Sequence, residues 1–249
     1  MHLSIVIITK NEQQYLPRLL HSIKMQEFKD YEIIVSDAQS TDKTRAIAKS
    51  FGCKIVEGGL PSVGRNNGAK VANAPLILFL DADVVLPPLF LQENLAYMKK
   101  YKIDCATAEY EPITSKPMDK TLFALYNFWM KNLQYIYPQS GGFCIFCKKK
   151  FWKKTHGFPE KQLICEDFAF VSSVKKAGGI FRVIPRIPVL VDVRRLDKEG
   201  RFNLVKKYVK EGALRMIHGD SEVPRIEYVL HGQKKDVRKI YEEMQKKRS

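Results

Sequence analysis

The sequence predicts an α/β fold built on a doubly wound, mostly parallel sheet. Three observations predict it. Strand-like and helix-like segments alternate between residues 3 and 83. The strand-like segments are apolar at almost every position, as is typical of strands covered by helices on both faces. Two of them end in acids, at Asp37 and Asp81, and the carboxyl edge of an open α/β sheet is where such folds bind ligands.

Each element of the first half has its own signal. The predicted strands are apolar and rich in β-branched residues, and they cover residues 3–9, 31–37, 54–57 and 74–81. Pro17 suits the first turn of a helix. Ser40 is expected to cap a helix from about residue 41 to 51 that Gly52 ends, and a third helix is expected to begin near Ser62. Strand–helix–strand alternation with right-handed crossovers gives a parallel sheet.

The second half is less regular. Strands are expected at residues 105–109 and 141–147, followed by two short strands around Pro185 within residues 180–193. Helices are expected over residues 118–137 and 166–176, and the tail from Asp197 onward is basic and helical by pattern. The helix over 118–137 carries a broad aromatic stripe: Leu122, Phe123, Tyr126, Trp129, Leu133 and Tyr137. Such a stripe suits a core face, or an acceptor-side or membrane-facing surface.

Composition limits the classes of partner and compartment. The chain has 249 residues and a formal charge of +15, which favours nucleic acid, an anionic membrane surface or phosphorylated substrates. Five scattered cysteines suit a reducing, cytosolic compartment, and Cys144-x-x-Cys147 is better explained by alternation in a strand than by a metal site. The apolar start at Leu3 lacks a basic region before it, and no stretch reaches the roughly 20 apolar residues of a membrane span. The expected protein is cytoplasmic, either soluble or peripheral on the inner membrane face.

The triplet Asp81-Ala82-Asp83 is the strongest local signal for chemistry. Two carboxylates at a sheet edge suit Mg²⁺ or Mn²⁺, which keeps other positions for water and substrate phosphates. The alternative is an ordinary acidic turn after a strand. No Gly-x-Gly-x-x-Gly follows the first strand and no Walker A motif is present, which argues against a dinucleotide dehydrogenase and a P-loop NTPase.

Five features in fixed order carry a resemblance: Thr9-Lys10-Asn11-Glu12, Asp37 to Asp42, Gly64-Arg65-Asn66-Asn67-Gly68, Asp81-Ala82-Asp83 and Glu166-Asp167. This order resembles the family 2 inverting glycosyltransferases of the GT-A fold, up to about Gly200. The resemblance implies a catalytic domain over residues 1–200, with a nucleotide-sugar-binding half (1–104) and an acceptor half (105–200). Residues 201–249 would form a basic, helical C-terminal extension.

The resemblance also implies roles for the donor side of the site. Thr9, Glu12 and Asp37 match the positions that cradle nucleobase and ribose. Arg65 matches a basic residue near the nucleotide sugar. Asp83 would be the direct metal ligand, and Asp81 would reach ribose, the metal or its bound water. Asp37 and Asp42 have the simpler alternative of capping, and Glu12 and Arg65 that of exposed surface residues.

On the acceptor side, Asp167 matches the family's general base. Its neighbour Glu166 would orient the acceptor or take that role itself, and both could instead simply cap a helix. Arg194 and Arg195 correspond to a basic pair near the diphosphate. His156 and His218 are metal-shell candidates only by residue type. The Gln-x-x-Arg-Trp motif of processive synthases is missing, which favours transfer of a single sugar.

The expected partners follow from these roles. They are a UDP- or GDP-linked sugar donor, a saccharide or lipid-linked acceptor, and an anionic membrane surface reached through the basic tail. Two other functions stay open: a non-catalytic sugar-nucleotide binder and a basic nucleic-acid-binding protein. Net charge is the only support for nucleic-acid binding, because the sequence lacks a recognisable RNP, KH or zinc-finger signature.

Overall fold

A computed structural model describes residues 2–162, 165–204, 206, 228–230 and 233–235 of the chain. Its strands are β1 Leu3–Thr9, β2 Tyr31–Asp37, β3 Lys54–Glu57, β4 Leu76–Asp81, β5 Val84–Val85, β6 Cys105–Ile113, β7 Cys144–Lys148, β8 Phe181–Asp192, β9 Tyr228–Leu230 and β10 Gln233–Lys235. Its helices are α1 Leu16–Lys24, α2 Thr44–Ser50, α3 Pro61–Val71, α4 Phe90–Lys100, α5 Pro117–Leu133, α6 Lys149–Lys154, α7 Glu166–Lys176 and α8 Arg194–Glu199.

Eight of these strands form one mixed sheet in the order β3-β2-β1-β4-β7-β6-β8-β5. The β3-β2-β1-β4 half is parallel throughout. Strand β7 is antiparallel to both β4 and β6, whereas β6 and β8 are parallel to each other. The carboxyl ends of β1, β2, β4, β6 and β8 therefore lie at one edge of the sheet, and β7 begins there.

The register brings the polar strand ends together. Thr9 is paired with Asp37 across β1 and β2, and Ile8 is paired with Asp81 across β1 and β4. Behind this edge most side chains of the central strands β1 and β4 are buried, because they are apolar on both faces of the sheet. Phe79 of β4 packs edge-on against Phe158, which stacks on Phe170 of α7 at a ring-centroid distance of 4.0 Å. This aromatic cluster anchors α7 against the sheet.

The α/β fold with a mostly parallel sheet is confirmed, and several local predictions need correction. Residues 181–192 form one strand rather than two, because a register shift opposite Ala108 and Tyr110 accommodates the prolines. Helix α2 begins at Thr44 rather than Thr41, since Ser40 bonds Asp37 instead of capping the helix. Helix α5 ends at Leu133.

The described residues of the C-terminal extension are partly helix and partly strand. Residues 201–204 and 206 are helical, but β9 and β10 pair as an antiparallel ribbon within residues 228–235, where the pattern predicted helix. The basic pairs at Lys246-Lys247 and Arg238-Lys239, and His218, lie outside the described residues. No described helix is both long and apolar enough to cross a bilayer.

Candidate active site at the carboxyl edge of the sheet

The first part of the site is a buried carboxylate between β1 and β2. Asp37 is fully buried, and it accepts hydrogen bonds from the Thr9 hydroxyl (2.8 Å) and from the backbone N–H (3.0 Å) and hydroxyl (2.6 Å) of Ser40. Arg45 adds a bond to the same carboxylate. Burial alone would raise the pKa of Asp37, but these bonds outweigh it and hold the pKa below its ordinary value. Asp37 is therefore a fixed anion at the sheet edge.

The second part is a cluster around Arg194, the first residue of α8. Its guanidinium donates two bonds to the Glu12 carboxylate (2.7 and 2.9 Å), and its Nε donates to Asp83 (3.0 Å). The guanidinium also stacks over the Tyr15 ring at 4.1 Å. Burial raises the pKa of Glu12 and of Asp83, although Arg194 opposes both shifts. Arg194 thus joins the loop after β1 to the turn after β4.

The third part is a cluster around Arg65 of α3. This side chain is 2% exposed, and it donates to Asp81 (2.8 Å) and to Glu166 (2.7 Å), the first residue of α7. It also donates to the Gly142 carbonyl (3.3 Å) and lies 5.4 Å from the centre of the Phe158 ring. The guanidinium group is planar and permanently charged, so it can donate hydrogen bonds to two carboxylates at once.

Asp167 belongs to this third cluster. A Cβ added at Gly142 would lie 2.3 Å from Nη2 of Arg65 and 3.5 Å from Oδ2 of Asp167. The Asp167 carboxylate also accepts the N–H of Phe168 (2.8 Å), and its charge raises the pKa of Arg65. The acids at the end of β4 and those at the start of α7 therefore lie around one arginine.

Acidic charge is concentrated between the two arginines. Burial, helped by the carboxylates of Asp83 and Glu166, raises the pKa of Asp81 to about 7 despite the opposing charge of Arg65. Asp83 is not on the strand, since β4 ends at Asp81, and each acid has its own arginine. Because Asp83 lies beyond the end of β4, the turn after the strand, and not the alternation of side chains along it, brings both carboxylates to this site.

Most of the described candidate residues come together here, but Arg195 and His156 do not. Arg195 does not share the partners of Arg194; it bonds Glu199 one turn along α8. His156 lines a surface depression with Trp152 and Lys153. Among the described residues, no group of three or more His, Cys, Asp or Glu side chains could hold a metal ion.

Sequence reasoning missed three contributors. The Tyr15 ring stacks against the Arg194 guanidinium, and the Asp192 carboxylate accepts the backbone N–H of Arg194 (2.9 Å). Gly142 allows the close approach of Arg65. Only Gly142 left a visible signal, the Gly141-Gly142 pair before β7; the others have unremarkable neighbours in the sequence.

The fold and the site define an α/β protein of the GT-A type with an acidic, arginine-bridged site at the carboxyl edge of its sheet. The family model described as "Glycosyl transferase family 2" matches residues 4–155. The chain belongs to this family.

Curated relatives match shorter segments. A validoxylamine A glucosyltransferase of Streptomyces hygroscopicus is 36% identical over 104 residues, which is 38% of this chain and 25% of the relative. A GalNAc(5)-diNAcBac-PP-undecaprenol beta-1,3-glucosyltransferase of Campylobacter jejuni is 36% identical over 91 residues, 32% of this chain and 29% of the relative. The matched segment spans only about a quarter of these proteins.

Solved structures share the fold over most of the chain. The mannosyltransferase PcManGT of Pyrobaculum calidifontis, in complex with GDP-Man and Mn²⁺, has a TM-score of 0.71 at 18% identity and covers 88% of this chain and 65% of its own. Staphylococcus aureus TarS in complex with UDP-GlcNAc has a TM-score of 0.65 at 21% identity, with coverage of 78% and 59%. At these identities the similarity supports the fold alone.

Proposed function

We propose that this chain is an inverting glycosyltransferase that moves one sugar from a UDP- or GDP-linked donor to an acceptor hydroxyl or phosphate. The observation that carries the proposal is the position of Arg65, which bonds Asp81 on one side and Glu166 on the other. Direct displacement needs a leaving-group side and a base side within one site. Here residues far apart in the sequence supply both sides around a single arginine.

The donor is assigned to the edge formed by β1, β2 and the loops after them. Asp37 and Glu12 are carboxylates that can accept hydrogen bonds from nucleobase N–H groups and ribose hydroxyls. Thr9 holds Asp37 in place through its hydroxyl. Arg194 supplies positive charge next to Asp83, where a diphosphate would lie.

The residues also fit a divalent cation. Asp81 and Asp83 are hard oxygen donors that keep partial exposure, and burial, helped by neighbouring carboxylates, raises the pKa of both. Mg²⁺ or Mn²⁺ typically binds one or two carboxylates and takes its other ligands from phosphates and water, so a third protein ligand is not needed. When bound there, the cation would neutralise charge on the leaving diphosphate. PcManGT and its Mn²⁺ complex support this choice.

Asp167 is the preferred base. Glu166 is buried and bonded to Arg65, whereas Asp167 is partly exposed beside Gly142. Arg65 stabilises the negative charge of both. In this assignment Asp167 accepts the proton of the acceptor hydroxyl, and Glu166 holds Arg65 in position.

The acceptor is a saccharide or a lipid-linked saccharide. The Campylobacter relative, whose printed name contains a PP-undecaprenol acceptor, supports the lipid-linked choice. All five cysteines are free thiols, which suits a reducing cytosolic location with access to the inner membrane face.

The deciding experiment is Asp167→Asn. We expect UDP or GDP with Mn²⁺ to raise the melting temperature of the wild type and of this variant equally. Sugar transfer should fall at least about 100-fold in the variant, because general base catalysis contributes that much. Glu93→Gln is the matched control, since Glu93 also lies in the first turn of a helix; it should leave transfer unchanged.

Two results would refute the proposal. Unchanged transfer in Asp167→Asn would exclude this residue as the base. A wild type that is stabilised by nucleotide and metal, yet neither transfers nor hydrolyses any nucleotide sugar, would instead be a non-catalytic binder.

A further inference from the structure

The outer face of α5 is apolar and exposed. Leu125 is 60% exposed and Phe128 65%, and Trp129 is also exposed. The turn after the helix continues this surface, with Ile136 83% exposed and Tyr135 beside it. The α5 surface is defined as these residues and one at the start of the helix: Met118, Leu125, Phe128, Trp129, Tyr135 and Ile136.

The solvent-facing side of α5 is apolar, whereas the solvent-facing side of a surface helix is usually polar. Met118, Leu125 and Trp129 follow one another at spacings of one or two helical turns, so they share one face of α5, and Ile136 lies in the turn that follows the helix. Within α5, the residues classed as buried are only Asp119 and Met130. Contiguous exposed apolar surface of this kind marks an interaction site.

Positive charge surrounds the α5 surface. Lys116 and Lys120 are exposed at its start, where Lys116 pairs with Asp197, and Lys131 near its end pairs with Glu109. The helix contains a single acid, Asp119, which is buried and bonded to Arg201. At the turn, Lys175 donates to the carbonyl of Tyr135, and Arg182 lies 4.6 Å from the centre of the Tyr135 ring.

We propose that the α5 surface docks this protein on an anionic lipid bilayer. Aromatic and aliphatic side chains on one face, with lysines beside them, are the features of helices that lie in the headgroup region of membranes. A net charge of +15 adds long-range attraction to anionic lipid. A second protein or another copy of this chain would also cover apolar surface, but neither explains the cations around it and the absence of an exposed acid on the helix.

Docking there would bring the bilayer close to the catalytic centre, an argument that rests on the function proposed above. On the inner side of α5, Tyr126 stacks on Tyr110, whose hydroxyl bonds the Gly141 carbonyl (3.0 Å). The next residue, Gly142, touches Arg65. The membrane would therefore be separated from the site mainly by one helix, about 10 Å thick, and a lipid-anchored acceptor could reach Asp167.

The test is flotation of the full chain with vesicles of phosphatidylcholine alone, or with about a quarter phosphatidylglycerol. The wild type should bind the anionic vesicles and bind the neutral ones far less. The double variant Phe128→Ser/Trp129→Ser should bind them about tenfold more weakly. Met25→Ser/Tyr101→Ser removes two exposed apolar side chains elsewhere and should bind like the wild type.

Two charge-reversal variants test whether the lysines beside the α5 surface contribute to membrane binding. Lys120→Glu should weaken anionic vesicle binding severalfold, whereas Lys49→Glu, an exposed lysine on α2, should change it little. Stabilisation by UDP or GDP with Mn²⁺ is measured on every variant and should not change. Donor binding and vesicle binding can thus fail separately, which distinguishes this proposal from the proposed function.

Three outcomes would overturn the proposal. The wild type could fail to bind anionic vesicles. The Phe128→Ser/Trp129→Ser variant could bind them as well as the wild type does, which would assign binding to the rest of the basic chain. Gel filtration could show that the same variant converts a dimer to a monomer without changing vesicle binding, which would assign the surface to a second copy.

Discussion

Two arginines organise the site at the level of single residues. Arg65 and Arg194 each hold two carboxylates from distant parts of the sequence. Removing one partner from such a cluster leaves unpaired charge, which costs more than the ion pair contributes. The geometry around each guanidinium should therefore be sensitive to small changes.

Gly142→Ala tests that sensitivity next to Arg65. The added Cβ would lie 2.3 Å from Nη2 of Arg65, so the guanidinium must move away from Asp81 and Glu166. We expect sugar transfer to fall by about tenfold or more, because small displacements in an active site have large effects on rate. At Gly141 the nearest atom to a new Cβ is a ring carbon of Phe143 at 3.0 Å. Gly141→Ala is the milder control, and equal transfer by both variants would contradict the prediction.

Asn66, the residue after Arg65, holds the loop that leads to α7. Its amide donates to the Phe158 carbonyl (2.8 Å) and accepts the Phe158 N–H (2.9 Å), and it also accepts the indole N–H of Trp152 (3.2 Å). Asn66→Ala leaves these buried groups unpaired, which should lower the free energy of unfolding by about 2 kcal/mol.

Urea denaturation of Asn66→Ala measures this loss. Asn67→Ala, one residue along the same helix, removes two exposed bonds, one donated to the Glu57 carbonyl and one accepted from Lys70, and is the matched control. It should cost much less. If the two variants were equally stable, Asn66 would not be the anchor of this loop.

At the scale of elements, the strands were easier to predict than the helix ends. Strands β1, β2 and β3 have the predicted bounds, because continuous β-branched runs leave few alternatives. The start of α2 was wrong because Ser40 and Asp42 could each cap a helix locally. In the structure Ser40 bonds Asp37 instead, whereas Asp42 accepts the N–H of Thr44, the first residue of α2, and also the N–H of Gln13 from the loop after β1.

The packing of α3 on β1 gives an element-scale prediction. A Cβ at Gly68 would lie 2.3 Å from Cγ1 of Val6. Although alanine normally favours a helix over glycine, Gly68→Ala should destabilise the protein by about 1–3 kcal/mol through overpacking. Adding Val6→Ala removes the clash, so the double variant should recover part of what Gly68→Ala alone loses.

Thermal or urea unfolding of the two single variants and the double variant forms a complete cycle. Purely additive losses would mean that Gly68 and Val6 do not contact each other as described.

At the scale of the whole molecule, resistance to local unfolding should decrease from the centre of the sheet to its edge. The central strands β1 and β4 have partners on both sides and buried side chains, whereas β3 lies at one edge with exposed ends. Amide hydrogen exchange, followed by mass spectrometry, should be at least about tenfold slower in β1 and β4 than in β3. Equal exchange in all three strands would indicate that the sheet opens only as a unit.

The sequence by itself determined the fold class and the first strands, because strand periodicity and helix termini are local properties of the chain. The acids and arginines of the candidate site were predicted from the resemblance of their motifs to the family 2 glycosyltransferases. Only the tertiary structure decided that β7 runs antiparallel, that Arg194 and not Arg195 reaches Glu12 and Asp83, and that Arg65 joins Asp81 to Glu166. The physical reason is that these contacts form between residues as much as 182 positions apart, where strand order and register, rather than neighbouring residues, decide which side chains meet.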